Sequence, residues 1–126
     1  MTSAAVYGTG SWGTAYASVL ADAGTSVTMW GRRQEVVDQI NAGTNEDYLP
    51  ELRLPGTIRA TTDPFEAAAG ADIVVLAVPS QTLRANLSGW TLPETAAVVS
   101  LMKGVELGTT KRMSEVIMEV GGVDVE

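Results

Sequence analysis

The chain has 126 residues and a formal net charge of −7 at neutral pH, and it contains neither cysteine nor histidine. Disulfides, thiolate chemistry and histidine catalysis or metal ligation are therefore excluded, and the acidic balance argues against a general nucleic-acid-binding surface. The 45% apolar content is that of a globular protein, and no apolar run reaches the roughly 18 residues of a membrane span. Because no signal-like segment opens the chain, we expect a cytoplasmic protein. Because histidine and cysteine are absent, we expect no metal site.

The first predicted elements surround a glycine-rich turn. The apolar run Ala4–Tyr7 is typical of a buried parallel strand, and residues 8–13 after it read GTGSWG, a G-x-G-x-x-G. A stretch with a helical period follows, and Gly24 stands where a helix commonly ends. Its predicted apolar face consists of Trp12, Ala15, Tyr16, Val19, Leu20 and Ala23. The order strand, glycine turn and helix predicts a dinucleotide-binding unit.

The three glycines of the turn have separate predicted roles. Gly8 permits the tight turn, Gly10 lets a pyrophosphate approach the backbone, and Gly13 lets the helix pack closely on the strand. The free N–H groups and the positive end of the helix dipole then face the phosphates. A tight βα turn with no ligand is the alternative interpretation.

The rest of the chain alternates predicted strands and helices. Strands are predicted at 26–30, 57–61, 73–78 and 96–102. Helices are predicted at 34–42, from 63 onward, at 81–90 and at 110–121. The long aperiodic segment 44–56 is a loop, and loops of this length are often functional. The pattern predicts an α/β, Rossmann-type, doubly wound and mostly parallel sheet with helices on both faces, with residues 1–126 forming one dinucleotide-binding domain.

Two arginines follow the second predicted strand. An enzyme selective for NAD(H) usually places a carboxylate here to bind the ribose 2′-hydroxyl, whereas this chain has Arg32 and Arg33. Guanidinium groups suit the doubly charged 2′-phosphate of NADP(H). The sequence therefore predicts a preference for NADP(H) with NAD(H) tolerated, against the alternative of two solvated arginines.

The ends of the later strands supply further candidates. Pro79 and Ser80 follow the fourth strand and are predicted on the nicotinamide side, although turn chemistry alone also explains them. Lys103 follows the fifth strand, where an ammonium group would hold a substrate phosphate or polarise a carbonyl oxygen, unless it is simply solvated. Trp12 is either core packing or a platform for the cofactor.

Five motifs together resemble the N-terminal half of bacterial NAD(P)-dependent glycerol-3-phosphate dehydrogenases. They are GTGSWGTAYA, WGRR, YLPELRLP, AVPSQTLR and KGVE, in this order over essentially the whole chain. The resemblance implies reversible hydride transfer between NADPH and dihydroxyacetone phosphate, which gives sn-glycerol 3-phosphate for phospholipid synthesis. It places Ser11 and Trp12 in the cofactor turn, Arg32 and Arg33 at the adenosine end, and Lys103 against both cofactor and substrate.

The resemblance also implies a part that this chain lacks. Such enzymes pass the substrate proton through a lysine in a mostly helical C-terminal domain, so no catalytic proton-transfer residue is expected among the 126 residues. The chain alone is expected to bind cofactor with little or no turnover, because it supplies one wall of a site that must hold both reactants. The full-length protein is expected to be a homodimer.

Three alternatives remain at this stage. The first is another dehydrogenase with the same N-terminal fold, acting on a hydroxy acid or a hydroxyacyl substrate. The second is a non-catalytic NADP-binding sensor, in which Lys103 would have no purpose. The third is a structural domain without a ligand, which the paired arginines beside a phosphate-binding turn disfavour.

Overall fold

The computed structural model describes residues 2–90, 92–93, 96–102 and 112–121. Within these ranges strands and helices alternate. The strands are β1 (Ser3–Tyr7), β2 (Ser26–Trp30), β3 (Ile58–Thr61), β4 (Ile73–Leu76) and β5 (Ala97–Ser100). The helices are α1 (Ser11–Asp22), α2 (Gln34–Asn41), α3 (Pro64–Ala68), α4 (Leu83–Leu87) and α5 (Met113–Gly121). No helix in the described ranges has the length and apolar character needed to cross a membrane.

The strands form one parallel sheet in the order β3-β2-β1-β4-β5. Tyr7, at the end of β1, pairs with Trp30 on one side and with Leu76 on the other. The strand order therefore reverses between β1 and β4, and their carboxyl ends leave a crevice at the edge of the sheet. This arrangement confirms the predicted doubly wound fold.

Helices cover both faces of the sheet. On β1, Val6 joins a cluster with Ala17 of α1 and Ile40 of α2, whereas its neighbour Tyr7 faces a second cluster. The second cluster contains residues from α3, α4 and α5. Burial on both faces explains why the central strands are continuous apolar runs rather than alternating ones.

The packing of α1 differs from the sequence prediction. Trp12 and Val19, both assigned to the apolar face, are 75% and 64% exposed. The buried residues are instead mostly small ones, Gly13, Thr14, Ala17 and Ser18. The prediction was wrong for Trp12 and Val19, whereas Tyr16 and Leu20 are half-buried and pack against the core. Gly13 lies tightly against the Gly8 carbonyl and Ala77, so small residues form the innermost side of the helix.

Several element boundaries also differ from the prediction. Strand β4 ends at Leu76 rather than at residue 78, and a 3-10 turn, Ser80–Thr82, precedes α4. The backbone N–H of Ala77 still donates to the Tyr7 carbonyl at 2.8 Å, so the chain follows β1 for one more residue before Pro79 redirects it. Strand β5 is likewise shorter than the predicted 96–102.

An aromatic cluster packs beneath the carboxyl ends of β1 and β2. The rings of Tyr7 and Trp90 stack at 4.4 Å between centroids, and Trp30 meets Trp90 edge-on at 5.0 Å. The Tyr7 hydroxyl donates to the Pro64 carbonyl at 2.7 Å. Burial, with a smaller contribution from the charge of Asp63, raises the pKa of Tyr7 to about 12, so the hydroxyl remains a donor at neutral pH. The cluster ties the start of α3 to the centre of the sheet.

The close contact between α1 and β1 predicts the effect of a single methyl group. A Cβ at position 13 would overlap the Gly8 carbonyl oxygen and press on Ala77 Cβ at 3.3 Å. We expect Gly13→Ala to lower the free energy of unfolding by roughly 1–3 kcal/mol, because overpacking outweighs the helix preference of alanine. Urea unfolding followed by circular dichroism measures this.

The matched control is Gly56→Ala, because a Cβ there meets nothing within 4 Å. This control is expected to change the free energy of unfolding by less than about 0.5 kcal/mol. Equal stabilities of the Gly13→Ala variant and the wild type would contradict the close packing described here.

Candidate cofactor cleft

A cleft of about 690 Å³ opens at the carboxyl ends of the strands, where the strand order reverses. Its walls come from the glycine turn, the end of β2, the segment after β4 and the end of β5. The lining residues are Gly8, Thr9, Gly10, Ser11, Trp12, Trp30, Gly31, Arg32, Arg33, Tyr48, Ala77, Val78, Pro79, Thr82, Asn86, Leu101 and Met102.

The turn between β1 and α1 leaves backbone donors facing this cleft. Gly8 has a φ of +124°, and a Cβ there would lie 2.5 Å from the Ala77 carbonyl oxygen, so only glycine fits. Gly10 precedes α1 without any side-chain capping bond, and the first turn of the helix holds no acidic residue. The first N–H groups of α1 are therefore available to an anion.

Gly10 differs from its two partner glycines. A Cβ built at Gly10 meets no atom within 4 Å, and Gly10 lines the cleft. Glycine is thus not required there by the protein's own packing. The space is the kind that a pyrophosphate needs in order to approach the backbone, so the residues present fit a dinucleotide.

A buried amide holds the long loop against the glycine turn. Asn45 is fully buried, and its Nδ2 donates to the Thr9 carbonyl and to the Thr14 hydroxyl oxygen, both at 2.8 Å. Its Oδ1 has no hydrogen-bond partner in the described part of the chain. Three residues further on, the carbonyl of Tyr48 accepts a bond from the Ser11 hydroxyl at 3.2 Å. The loop is therefore anchored on both sides of residues 46–47.

The two predicted adenosine-side arginines both line the cleft, but their surroundings differ. Arg33 donates from Nε to Glu35 Oε1 at 2.8 Å, and its Nη2 lies 3.5 Å from Asp47 Oδ2. The hydrogen bond and charge of Glu35, together with the charge of Asp47, raise the pKa of Arg33 above its usual range. Within the described residues, no ion pair joins Arg32 to a carboxylate. Arg32 is thus the cation with the fewer competitors for an anionic ligand.

The segment after β4 forms the opposite wall. Pro79 lines the cleft, and its carbonyl accepts a bond from the Thr82 hydroxyl at 2.8 Å. Ser80 begins the 3-10 turn, and the role of its hydroxyl stays a prediction. Leu101 and Met102 make this end of the cleft apolar. Lys103 lies outside the described residues.

The position of Trp12 decides between the two interpretations of this residue, core packing and a platform for the cofactor. The side chain is 75% exposed and borders the cleft, so the core-packing interpretation is wrong. Gly31, which the sequence places with Arg32 and Arg33 at the ligand edge of the sheet, also lines the cleft, although no separate role was predicted for it. A Cβ there would lie 2.6 Å from Thr9 Cγ2, so glycine lets the end of β2 pass beside the glycine turn. Its position directly after an apolar strand was the available signal.

Residues 3–125 match the family described as NAD-dependent glycerol-3-phosphate dehydrogenase N-terminus. The chain belongs to this family. It is 62% identical over 123 residues to the glycerol-3-phosphate dehydrogenase [NAD(P)+] of Streptomyces griseus, and 58% identical over 123 residues to the enzyme numbered 2 of Mycobacterium tuberculosis. Each match covers 95% of this chain and 37% of the relative, so the chain spans little more than a third of their length.

Solved structures of the same family agree with the fold. The glycerol-3-phosphate dehydrogenase of Coxiella burnetii superposes with a TM-score of 0.88 at 30% identity, covering 97% of this chain and 38% of that one. The enzyme of Saccharomyces cerevisiae gives 0.80 at 28% identity, with 98% and 40% covered. A diketoreductase at 20% identity and a TM-score of 0.69 shares the fold alone. The resemblance to an NAD(P)-dependent dehydrogenase family is thereby confirmed.

Because there is space at Gly10, a substitution there is expected to affect cofactor binding without affecting folding. Gly10→Ala is expected to change the free energy of unfolding by less than about 1 kcal/mol, because the added Cβ meets no protein atom. It is expected to weaken NADPH binding at least about tenfold, because the methyl group occupies the path of the pyrophosphate. Fluorescence titration with NADPH measures the dissociation constant, and urea unfolding measures the free energy of unfolding.

Gly56→Ala again serves as the control and is expected to bind NADPH as the wild type does. A Gly10→Ala variant with wild-type NADPH affinity would show that no pyrophosphate lies against this turn.

Proposed function

We propose that the chain is the cofactor-binding part of an NAD(P)-dependent glycerol-3-phosphate dehydrogenase, with NADP(H) preferred and NAD(H) accepted. The observation that carries the proposal is the cleft where the strand order reverses, with the uncapped start of α1 on one wall and two arginines at one end. Family membership over residues 3–125 supports the reaction class. In the complete protein the reaction is hydride transfer between the nicotinamide and dihydroxyacetone phosphate or sn-glycerol 3-phosphate, and its product supplies phospholipid synthesis.

The dinucleotide is proposed to lie along the strand ends with its pyrophosphate on the first turn of α1. Gly8 and Gly13 shape that turn, and Gly10 leaves room for the phosphates. Ser11 and Trp12 start α1 and border the cleft, so their backbone N–H groups are the proposed donors. The adenosine then extends toward the end of β2, and the nicotinamide toward the segment after β4.

The preference for NADP(H) rests on charge. A 2′-phosphate adds two negative charges that the 2′-hydroxyl of NAD(H) lacks, and Arg32 has no carboxylate partner among the described residues. Arg33 lies beside it and adds a second guanidinium, whose Nε and Nη2 already face Glu35 and Asp47. Guanidinium groups bind phosphate oxygens with charge-assisted, often bidentate hydrogen bonds.

At the other end of the cleft the chain is proposed to organise the reacting groups. The bound nicotinamide supplies or accepts the hydride. Val78, Pro79, Leu101 and Met102 line this end with apolar surface, which favours exclusion of water. Ser80 is the proposed polar contact to the cofactor, and Lys103, the residue after Met102, is the proposed contact to both cofactor and substrate. An ammonium there would stabilise negative charge on the substrate oxygen or phosphate.

The remaining chemistry is proposed to lie outside this chain. Since the chain covers 37% of its relative from Streptomyces griseus, the proton-transfer lysine is assigned to the other part of the complete enzyme, a helical substrate domain. Little or no turnover is expected from the 126 residues alone. The complete enzyme is proposed to be a cytoplasmic homodimer.

The cofactor assignment is tested by titrating the chain with NADPH and with NADH. Trp12 and Trp30 line the cleft, so energy transfer from tryptophan to the nicotinamide reports binding. NADPH is expected to bind about tenfold more tightly than NADH. Arg32→Ala is expected to weaken NADPH binding about tenfold and NADH binding less than about twofold, because the lost guanidinium pairs with the 2′-phosphate.

Arg53→Ala removes the same charge at an exposed loop position outside the cleft, and it is expected to leave both affinities within about twofold. Equal affinity of the wild type for the two cofactors would overturn the preference. Failure to bind either one would overturn the cofactor site itself.

A further inference from the structure

Two carboxylates flank one of the two arginines at the adenosine end of the cleft. Arg33 lies between Glu35 at 2.8 Å and Asp47 at 3.5 Å, so this trio carries one positive and two negative charges. Arg32, the adjacent arginine, has no such partner within the described ranges. With Arg32 included, the four groups sum to zero. The pair of arginines therefore presents a weaker positive field to a 2′-phosphate than its sequence suggests.

The two carboxylates do not have the same relation to Arg33. Glu35 accepts a hydrogen bond from Nε and lies in the first turn of α2, where a negative charge is favoured by the helix dipole. Its pKa is lowered by its own backbone N–H and by Arg33. Asp47 lies beyond hydrogen-bond length from Nη2, so it contributes charge without fixing geometry. Removing the Asp47 charge would leave the Glu35 bond that orients the guanidinium group.

The loop holds Asp47 at this place. Two residues before it, the buried Asn45 side chain donates to the backbone of the phosphate turn, and one residue after it, the Tyr48 carbonyl accepts from Ser11. The backbone on both sides of Asp47 is thus tied to the turn. The carboxylate is therefore held near Arg33 by the loop as well as by its own attraction to the guanidinium.

We propose that Asp47 lowers the preference for 2′-phosphorylated cofactor by partly neutralising Arg33, and so keeps NAD(H) acceptable to the same cleft. The inference rests on the proposed function and refines its cofactor choice. Asp47 lies 3.5 Å from Nη2 of Arg33 and so competes with a 2′-phosphate for that guanidinium, whereas the neutral 2′-hydroxyl of NAD(H) gains little from Arg33. The carboxylate therefore penalises one cofactor and leaves the other nearly unaffected.

The test compares Asp47→Asn with Glu46→Gln, since both remove one negative charge from adjacent exposed loop positions. Dissociation constants for NADPH and NADH are measured at low and at physiological salt. Asp47→Asn is expected to lower the dissociation constant for NADPH about three- to tenfold and to leave that for NADH within about twofold of the wild type. The gain in NADPH affinity is expected to shrink as salt is added. Glu46→Gln is expected to leave the NADPH to NADH ratio within about twofold of the wild type.

A double-mutant cycle tests whether Asp47 acts through Arg33. In an Arg33→Met background, Asp47→Asn is expected to change the cofactor ratio less than about twofold, because the group it acts on is gone. The same three- to tenfold gain in that background would overturn the role of Arg33, and an unchanged ratio in the single variant would overturn the inference while NADPH binding stands. A wild type that binds neither cofactor would overturn the proposed function and this inference with it.

Discussion

The close approach of α1 to the end of β1 is the constraint on which the rest of the site depends. The first turn of the helix lies against the Gly8 carbonyl, and both Gly8 and Gly13 lack the Cβ that would separate these segments from each other and from Ala77. This contact aims the free N–H groups of the helix at the strand ends. The cleft, the exposed Trp12 and the space at Gly10 all follow from that placement.

The site also depends on the loop between α2 and β3. It contains no helix or strand of its own, yet Asn45 inserts beneath the glycine turn and is fully buried there. A buried amide without its bonds would be costly, so the two bonds that Asn45 donates help specify one loop position. Through that position the loop brings Asp47 to Arg33 and Tyr48 to the cleft. The proposed adenosine end of the cleft is thus built jointly by a strand end and a distant loop.

Much of this architecture was predictable from local pattern. The apolar runs of β1 and β4 indicated parallel strands buried on both faces, and the glycine spacing placed a tight turn between β1 and α1. The burial of α1 was not predictable from hydrophobicity, because close packing selects Gly13 and Ala17 over Trp12 and Val19 for the inner side. Periodicity gives the spacing of a helix face but does not say which face steric fit will choose.

Only part of the candidate site was predictable, because some of its residues are brought together by the tertiary fold rather than by sequence spacing. Gly10 and Arg32 lie within three residues of the ends of β1 and β2, which identify them. Asn45 instead lies in a loop without periodicity, and its partner Thr9 is 36 residues away in the sequence. No sequence spacing connects Asp47 with Arg33. Their contact depends on the tertiary course of the loop, and its consequence for charge became visible only with the fold.

The most direct measurement is the change in backbone amide chemical shifts of the ¹⁵N-labelled chain, followed by NMR as NADPH is added. If the first turn of α1 holds the pyrophosphate, the largest shifts fall on the amides of residues 10–13, with further shifts at the ends of β2 and β4. Unchanged amides at residues 10–13, in a spectrum where other amides respond to bound cofactor, would contradict a phosphate site at the start of α1.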